Sequence, residues 1–234
     1  PTEANRAYLA ESFLTEVQAR YGGTKFGRQE LEGVLIEEAD GALWSHAMLE
    51  AARVDEVPVF NRVVVAVDPP VTSMKSSDEC GIIVVGADTR GEPKDWRAVV
   101  LEDASVKGAT PEGWARAALA AMERHGADRL VAEVNQGGDL VERLVRMIDP
   151  LVPYRGVHAT RSKMLRAEPV AALYEQGRVR HVRGLGALEE QMGKMTPVGW
   201  QGSGSPDRLD ALVWALTDLM LGALHGQRPS VRSL

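Results

Sequence analysis

The order of apolar runs along this chain restricts it to a mixed α/β architecture. Three runs typical of strands, at 59–67, 80–87 and 96–103, follow one another without a helix, and short connections of this kind join antiparallel neighbours. After residue 110, helical and extended patterns alternate, which is typical of crossover units with parallel strands. The sequence therefore predicts a mixed central sheet, an antiparallel three-strand meander plus parallel strands, with helices on both faces.

Local signals give the approximate bounds of the later elements. Thr110 and Pro111 are typical of a helix start, and Gly126 of the end of that helix. A second helix, at 162–176, is interrupted or started by Pro169. The other predicted segments are strands at 130–134 and 153–158, an extended piece at 178–182, helices at 138–148, 187–195 and 207–224, and a loop at 196–206.

Length and composition describe an ordinary globular protein. The 234 residues suffice for one sizeable core, and we assign 1–57 to a lead-in segment, with an amphipathic helix at 5–20, and 58–234 to the main domain. The single cysteine, Cys80, excludes an intramolecular disulfide and a cysteine-cluster zinc site. The sequence contains neither a signal peptide nor an apolar run that would span a membrane, so we expect a cytosolic protein. The net charge of −6 weighs against a general nucleic-acid coat protein but allows a local basic groove.

Acidic residues stand at three informative places. Asp68 and Glu133 each end an apolar run, and Asp207 and Asp210 open an apolar helix. Each position has an ordinary explanation by itself: a turn acid, an exposed strand face, or acids that favour the helix dipole. However, an acid at the tip of a buried strand is costly unless its charge is compensated. Together, the four acids favour convergence on a divalent cation, because hard cations take oxygen ligands.

Basic residues are concentrated in one part of this acidic chain. Such a local excess forms either a phosphate-binding rim or a solvated face. Within it, Arg161, Lys163 and Arg166 are the candidates for contact with a DNA backbone, and Lys194, in a loop outside this run, is a further candidate. We interpret His158 and His181 as structural histidines. The basic residues between 155 and 183 are Arg155, Arg161, Lys163, Arg166, Arg178, Arg180 and Arg183.

Three segments, VAVDPPVTS, VAEVNQGG and SPDRLDALVWAL, resemble those of large terminase subunits, the DNA-packaging proteins of tailed phages and gene transfer agents. The resemblance is to their C-terminal nuclease domain, which has the ribonuclease H-like fold. The lead-in YGGTKFGRQELEGVL, followed by GALW, is similar to the linker that joins the ATPase domain to the nuclease domain. The last of the three segments also resembles a helix of Holliday-junction resolvases, which share the fold.

The resemblance implies a metal-dependent endonuclease with two Mg²⁺ or Mn²⁺ ions. Asp68 would be the first-strand ligand and bridge both ions, and Glu133 would be the fourth-strand ligand. Asp207 and Asp210 both stay candidates for the main ligand from the last helix, with Asp210 favoured because it directly precedes an Ala-Leu pair. One ion would activate a water and the other would stabilise the leaving 3′ oxygen.

The resemblance also implies partners. These are concatemeric double-stranded DNA, the portal protein, the small terminase subunit and the ATPase domain of a full-length protein, in the cytoplasm of a bacterial host. The sequence has no Gly-x-x-x-x-Gly-Lys-Ser/Thr phosphate loop and starts at Pro1, so we expect one domain of a longer chain. Two alternatives stay open: a non-catalytic module that docks on DNA or the portal, and a resolvase-like, structure-selective nuclease.

Overall fold

The computed structural model describes residues 41–70, 79–135 and 138–222. The strands of its main sheet are β1 (Arg53–Val54), β2 (Arg62–Asp68), β3 (Glu79–Asp88), β4 (Arg97–Asp103), β5 (Val106–Lys107), β6 (Arg129–Glu133), β7 (Tyr154–Val157) and β8 (Val179–Val182). The helices are α1 (His46–Ala52), α2 (Pro111–His125), α3 (Asp139–Ile148), α4 (Lys163–Glu175), α5 (Gly186–Gly193) and α6 (Asp207–Leu216). A small hairpin joins β9 (Met195–Thr196) and β10 (Gly199–Trp200).

The main sheet is mixed, in the order β1-β8-β4-β3-β2-β6-β7, with β5 paired to β3. Strands β2, β3 and β4 form the predicted antiparallel meander. On one side β6 and β7 run parallel to β2, and on the other β8 runs parallel to β4, with β1 parallel to β8. The predicted fold class is confirmed.

Helices cover both faces of this sheet because the middle of each central strand carries apolar side chains on both faces. In β2, Val64 and Ala66 face a cluster that contains α1, α4, α5 and α6. The alternate residues, Val65 and Val67, face α2 and α3. Strands that are buried on both faces give continuous apolar runs, whereas strands with one solvated face alternate.

Several predicted bounds are corrected by the structure. Strand β2 begins at Arg62, three residues after Val59, whose side chain is 82% exposed. The predicted loop at 196–206 contains the β9–β10 hairpin, and α5 ends at Gly193, before Met195 enters that hairpin. The last helix is α-helical only to Leu216 and continues as a π-helix over Thr217–Leu221. Residues 223–234 lie outside the described part.

The sequence signals predict the bounds of α2 correctly, whereas those of α4 are only partly correct. The Thr110 side chain accepts a hydrogen bond from Gly113 N, and Gly126 ends α2 with a φ of 56°, a left-handed conformation that glycine adopts without strain. Helix α4 begins after Ser162, which caps Leu165 N, and runs through Pro169. The expectation that Pro169 interrupts or starts this helix is therefore wrong.

The segment before Pro58 takes part in the core of the main domain where it is described. Trp44, Leu49 and Ala52 are buried in the cluster that contains α6, and β1 extends the sheet beyond β8. The predicted helix at 5–20 lies outside the described residues, and the boundary at residue 58 stays a prediction. Among the described helices, none is long and apolar enough to cross a bilayer.

Candidate functional site

Asp68 and Glu133 lie side by side at one edge of the sheet. Each ends its strand, and β2 and β6 are parallel neighbours whose last registered pair is Val67 with Ala132, one residue before the two acids. Side chains alternate along a strand, so Asp68 shares a face with Val64 and Ala66, the face that α6 covers. The sequence placed these acids at strand ends, and the register brings them together.

Helix α6 brings Asp207 and Asp210 to the same edge. The helix packs on β3, β2 and β6, and both acids lie in its first turn. Asp210 is 3% exposed, which makes it one of only two fully buried polar or charged residues in the described part, the other being His181. A carboxylate buried to this degree must be compensated by nearby groups.

The four acids interact electrostatically as one group. Burial raises the pKa of Asp68 well above its usual value, and the charges of Asp210, Glu133 and Asp207 raise it further. Burial also raises the pKa of Asp207, to about 6, with Asp210 adding to the shift. The pKa of Asp210 is raised by burial, although the charges of Lys163 and Arg166 oppose that shift. Crowded carboxylates that repel one another favour a cation between them.

Lys163 and Arg166, both on α4, supply positive charge to these acids. The Lys163 ammonium group contacts Asp210 Oδ2, and it donates to Ser205 Oγ at 2.9 Å. Arg166 bridges two acids, with Nη2 at 3.2 Å from Asp210 Oδ1 and Nη1 at 3.4 Å from Glu133 Oε2. Its side chain is 10% exposed, so Arg166 faces inward, toward the acids.

Trp214 is a site residue that the sequence reading did not single out. Its indole Nε1 donates to Glu133 Oε2 at 2.7 Å, and its ring lies under the Arg166 guanidinium, 4.6 Å from the ring centroid. Trp214 follows Asp210 by four residues, so both side chains project from the same side of α6. That spacing was the available signal, but an aromatic in an apolar helix is usually a core residue.

The other predicted DNA contacts, Arg161 and Lys194, form no ion pair with the four acids among the described residues. Arg161 is exposed just before α4 and has no ion-pair partner among the described residues. Lys194 pairs with Glu190 at 2.6 Å. Several other members of the basic run are held by other parts of the chain: Arg155 by Asp218, Arg178 by Pro93 O and Trp96 O, Arg180 by Ala51 O and Arg183 by Asp55.

The donor set at this edge suits a hard cation, since all four acids offer oxygen ligands. In the arrangement described for 41–70, 79–135 and 138–222, no three histidine, cysteine or acidic side chains converge closely enough to enclose an ion. The carboxylates of Asp210 and Glu133 turn instead toward Lys163 and Arg166. The charge of the site therefore fits a metal ion, while two of its four carboxylates are paired with protein cations.

An antiparallel meander extended by parallel strands, with acids at the ends of β2 and β6 and at the start of a covering helix, defines a ribonuclease H-like domain. The family model described as "Terminase RNaseH-like domain" matches residues 65–219. The chain belongs to this family, and its fold is that of large terminase nuclease domains. Comparison with curated proteins gives no match at the sequence level.

Solved structures support the same fold at low sequence identity. The large terminase nuclease of thermophilic phage G20c is 17% identical, with a TM-score of 0.54 over 76% of this chain and 98% of that one. The human cytomegalovirus terminase nuclease domain is 15% identical, with a TM-score of 0.55 over 76% and 97%. The large terminase of another thermophilic bacteriophage, solved in complex with ADP, is 13% identical, with a TM-score of 0.63 over 92% and 54%.

Two of these relatives have also been described with metal ions. The G20c nuclease is known with bound cobalt, and the cytomegalovirus domain is known in a manganese-soaked, inhibitor-bound form. The chain spans about half the length of the ADP-bound large terminase, 54% of it.

Proposed function

We propose that this chain is an endonuclease domain that cleaves double-stranded DNA by metal-dependent phosphodiester hydrolysis. The observation that carries the proposal is the joint placement of Asp68, Glu133, Asp207 and Asp210, since the pKa of Asp68 responds to the other three. Four carboxylates gathered from three elements repel one another, which is costly unless positive charge compensates them. The metal-bound forms of the G20c and cytomegalovirus nucleases support divalent-ion use.

The four acids would hold Mg²⁺ or Mn²⁺, with two ions expected. When bound, such ions supply an activated water and neutralise charge on the scissile phosphate. Lys163 and Arg166 keep the acids compensated and ordered before ion binding. Arg161, exposed at the start of α4, is the best-placed of the predicted DNA contacts because its guanidinium is not engaged by a described residue. Phosphate contacts of this kind position a duplex without reading its sequence.

The partners follow from the same assignment. The large terminase solved in complex with ADP is about twice as long as this chain's matched part. By analogy, this domain would work beside an ATPase domain, on concatemeric DNA, with the portal protein and the small terminase subunit as further partners. In that setting the cut would be made at the start and end of filling a capsid.

Plasmid cleavage tests the proposed activity. The purified chain should nick and linearise supercoiled plasmid with Mg²⁺ or Mn²⁺ and should be inactive in EDTA. Asp68→Asn should abolish cleavage, because it removes a charge that metal binding requires. Asp95→Asn is the matched control, since Asp95 is exposed beside β4 at the opposite edge of the sheet.

Equal cleavage by wild type and Asp68→Asn would contradict the assignment of this site. Absence of cutting by a folded wild-type chain, combined with retained duplex binding, would favour the docking module. A four-way junction offered beside linear duplex of the same length separates the remaining alternative, because a resolvase-like nuclease would prefer the junction.

A further inference from the structure

The first turn of α6, which carries both Asp207 and Asp210, lacks a cap of its own. The residue before the helix is Pro206, and no side chain of the helix start accepts from the first amides. Those amides have no partner within the helix. The Leu209 amide instead donates to Gln191 Oε1 at 3.1 Å, across from α5. A neighbouring helix therefore caps the turn that bears the acids.

Arg208 anchors the same turn to the sheet. It lies between the two acids in sequence, and its side chain extends to the start of β3 and the end of β4. Its Nε is 2.7 Å from Asp103 Oδ2, and its Nη1 contacts Glu79 Oε2. The three side chains are 17%, 11% and 18% exposed, so the two ion pairs are largely shielded from water.

Gln191 contacts both the first turn of α6 and Glu79, the β3 residue that pairs with Arg208. Its Nε2 donates to Glu79 Oε2 at 3.3 Å while its Oε1 caps Leu209. Glu79 thus receives both Arg208 and Gln191, next to the point where Gly81 of β3 pairs with Asp68 of β2. The α6 turn is therefore fixed to the strand that lies directly beside Asp68.

We propose that Arg208 and Gln191 are positioning residues, which set where Asp207 and Asp210 stand relative to Asp68 and so set the affinity of the site for divalent ions. The proposal rests on the proposed metal-dependent function. Residues that hold metal ligands in place tune metal affinity. A displacement of about 1 Å in a catalytic site can lower the reaction rate by about 100-fold. Neither residue touches the acids' carboxylates directly, so each acts through the backbone of the turn.

Arg208→Met and Gln191→Leu test the proposal, because both keep side-chain bulk and remove the polar contacts. We expect Mn²⁺ affinity, measured by calorimetry on the full chain, to weaken by about 10- to 100-fold. Amide exchange at Leu209 should become faster in Gln191→Leu.

Arg90→Met is the matched control. Arg90 forms a comparable two-bond contact with Asp88, at the far end of β3. Its loss should change neither Mn²⁺ affinity nor Leu209 exchange. If Arg208→Met does not fold, Gln191→Leu, which removes no charged side chain, decides whether the proposal holds.

The outcomes separate this inference from the proposed function. Variants whose Mn²⁺ affinity matches that of the Arg90→Met control would overturn the positioning role, whatever their Leu209 exchange, while leaving the nuclease intact. A folded wild-type chain that neither binds Mn²⁺ nor cuts DNA would overturn the proposed function. In that case unchanged Leu209 exchange in Gln191→Leu would overturn the positioning role as well, and faster exchange would establish that Gln191 holds the turn.

Discussion

At the scale of single residues, Arg166 shows how the site holds repelling acids together. Its guanidinium bridges Asp210 and Glu133 and rests on the Trp214 ring. Stacking of an arginine on an aromatic face is attractive and stronger when the pair is shielded from water. Trp214 also donates to Glu133, so one indole orients both an acid and its counter-ion.

Trp214→Phe should lower metal-dependent cleavage, because it removes the indole N–H while keeping an aromatic ring. The variant loses the N–H donor to Glu133, and a hydrogen bond to a charged group contributes about 1.5–3 kcal/mol. We expect metal-dependent plasmid cleavage to fall by about 10- to 100-fold, because an acid loses the group that orients it. Initial cleavage rates at several Mn²⁺ concentrations check this.

Trp96→Phe provides the comparison for that substitution. Trp96 also donates through Nε1, to Gly91 O at 3.2 Å, but it precedes β4 at the edge of the sheet away from the acids. We expect its cleavage rate to match the wild type. If the Trp214 and Trp96 variants cut equally well, Trp214 has no role in orienting Glu133.

His181 is a second informative residue, distant from the acids along the sheet. It is fully buried on β8, where its Nε2 faces the Tyr174 hydroxyl and its Nδ1 lies 3.6 Å from Glu189 Oε1. Burial lowers its pKa to about 4, although Glu189 opposes the shift. Arg53 already pairs with Glu189, so little negative charge is left to stabilise a histidinium. The expectation of a structural histidine agrees with this burial.

Protein stability should therefore fall in acid because of His181. Its folded pKa, about 4, lies below the unfolded value of 6.5, so the unfolded chain binds the extra proton. The contribution of His181 to the free energy of unfolding is fully present above pH 6.5. It falls by about 3 kcal/mol in total as the pH is lowered toward 4. Urea unfolding at steps between pH 7.5 and 4.5 measures the slope.

His181→Gln should reduce that slope, since glutamine does not titrate. His46→Gln serves as the control because the His46 side chain is 86% exposed. The other titrating groups are common to all three chains, so only differences between the slopes matter. A slope in His181→Gln equal to that of the wild type would show that His181 is not the source of the acid sensitivity.

At the scale of elements, the contact between α6 and β3 decides where the acids stand. A Cβ atom at Gly81 would lie 1.9 Å from the carbonyl oxygen of Asp207, far inside van der Waals contact with backbone. The absence of a side chain at Gly81 thus lets the acid-bearing turn approach β3 beside Asp68. This is a packing requirement, because the φ of Gly81 is not positive.

Gly81→Ala should push the start of α6 away from the sheet. We expect a loss of about 1–3 kcal/mol in unfolding free energy from overpacking. We also expect cleavage to fall by about 100-fold, because the acids of α6 move relative to Asp68. Gly186→Ala is the control, since a Cβ there meets no atom within 4 Å. Comparable cleavage by both alanine variants would mean that α6 tolerates the displacement.

At the scale of the whole molecule, residues 41–57, the described part of the segment before Pro58, belong to the core of the domain. Trp44 is 1% exposed in the cluster that also holds Leu212 and Leu216 of α6. Trp44→Ala should therefore cost about 3–5 kcal/mol of unfolding free energy. Val59→Ala, at a side chain that is 82% exposed, should change the unfolding free energy by less than about 0.5 kcal/mol. Equal urea midpoints for the two variants would contradict the core role of Trp44.

The sequence by itself determined the architecture and the acids of the candidate site. Apolar runs buried on both faces and strong helix signals are local, so the meander, the crossover order and the start of α2 follow from short windows. The cost of an unpaired acid at a strand end is likewise local, which is why Asp68 and Glu133 stood out. The predicted bounds were wrong where tertiary contacts override the local sequence pattern, as at Val59, which lies outside β2, and in the β9–β10 hairpin.

Only the tertiary structure decided which groups surround those acids. The sequence makes Arg166 a candidate for contact with a DNA backbone, and the structure shows that α4 turns it onto Glu133 and Asp210. Helix α5 supplies the cap for the turn that begins α6. These contacts join residues far apart along the chain, such as Trp214 with Glu133 and Arg208 with Asp103. Periodicity indicates which side of a helix or strand is apolar. Which side chains then contact each other depends on how whole elements pack, and no local sequence pattern encodes that packing.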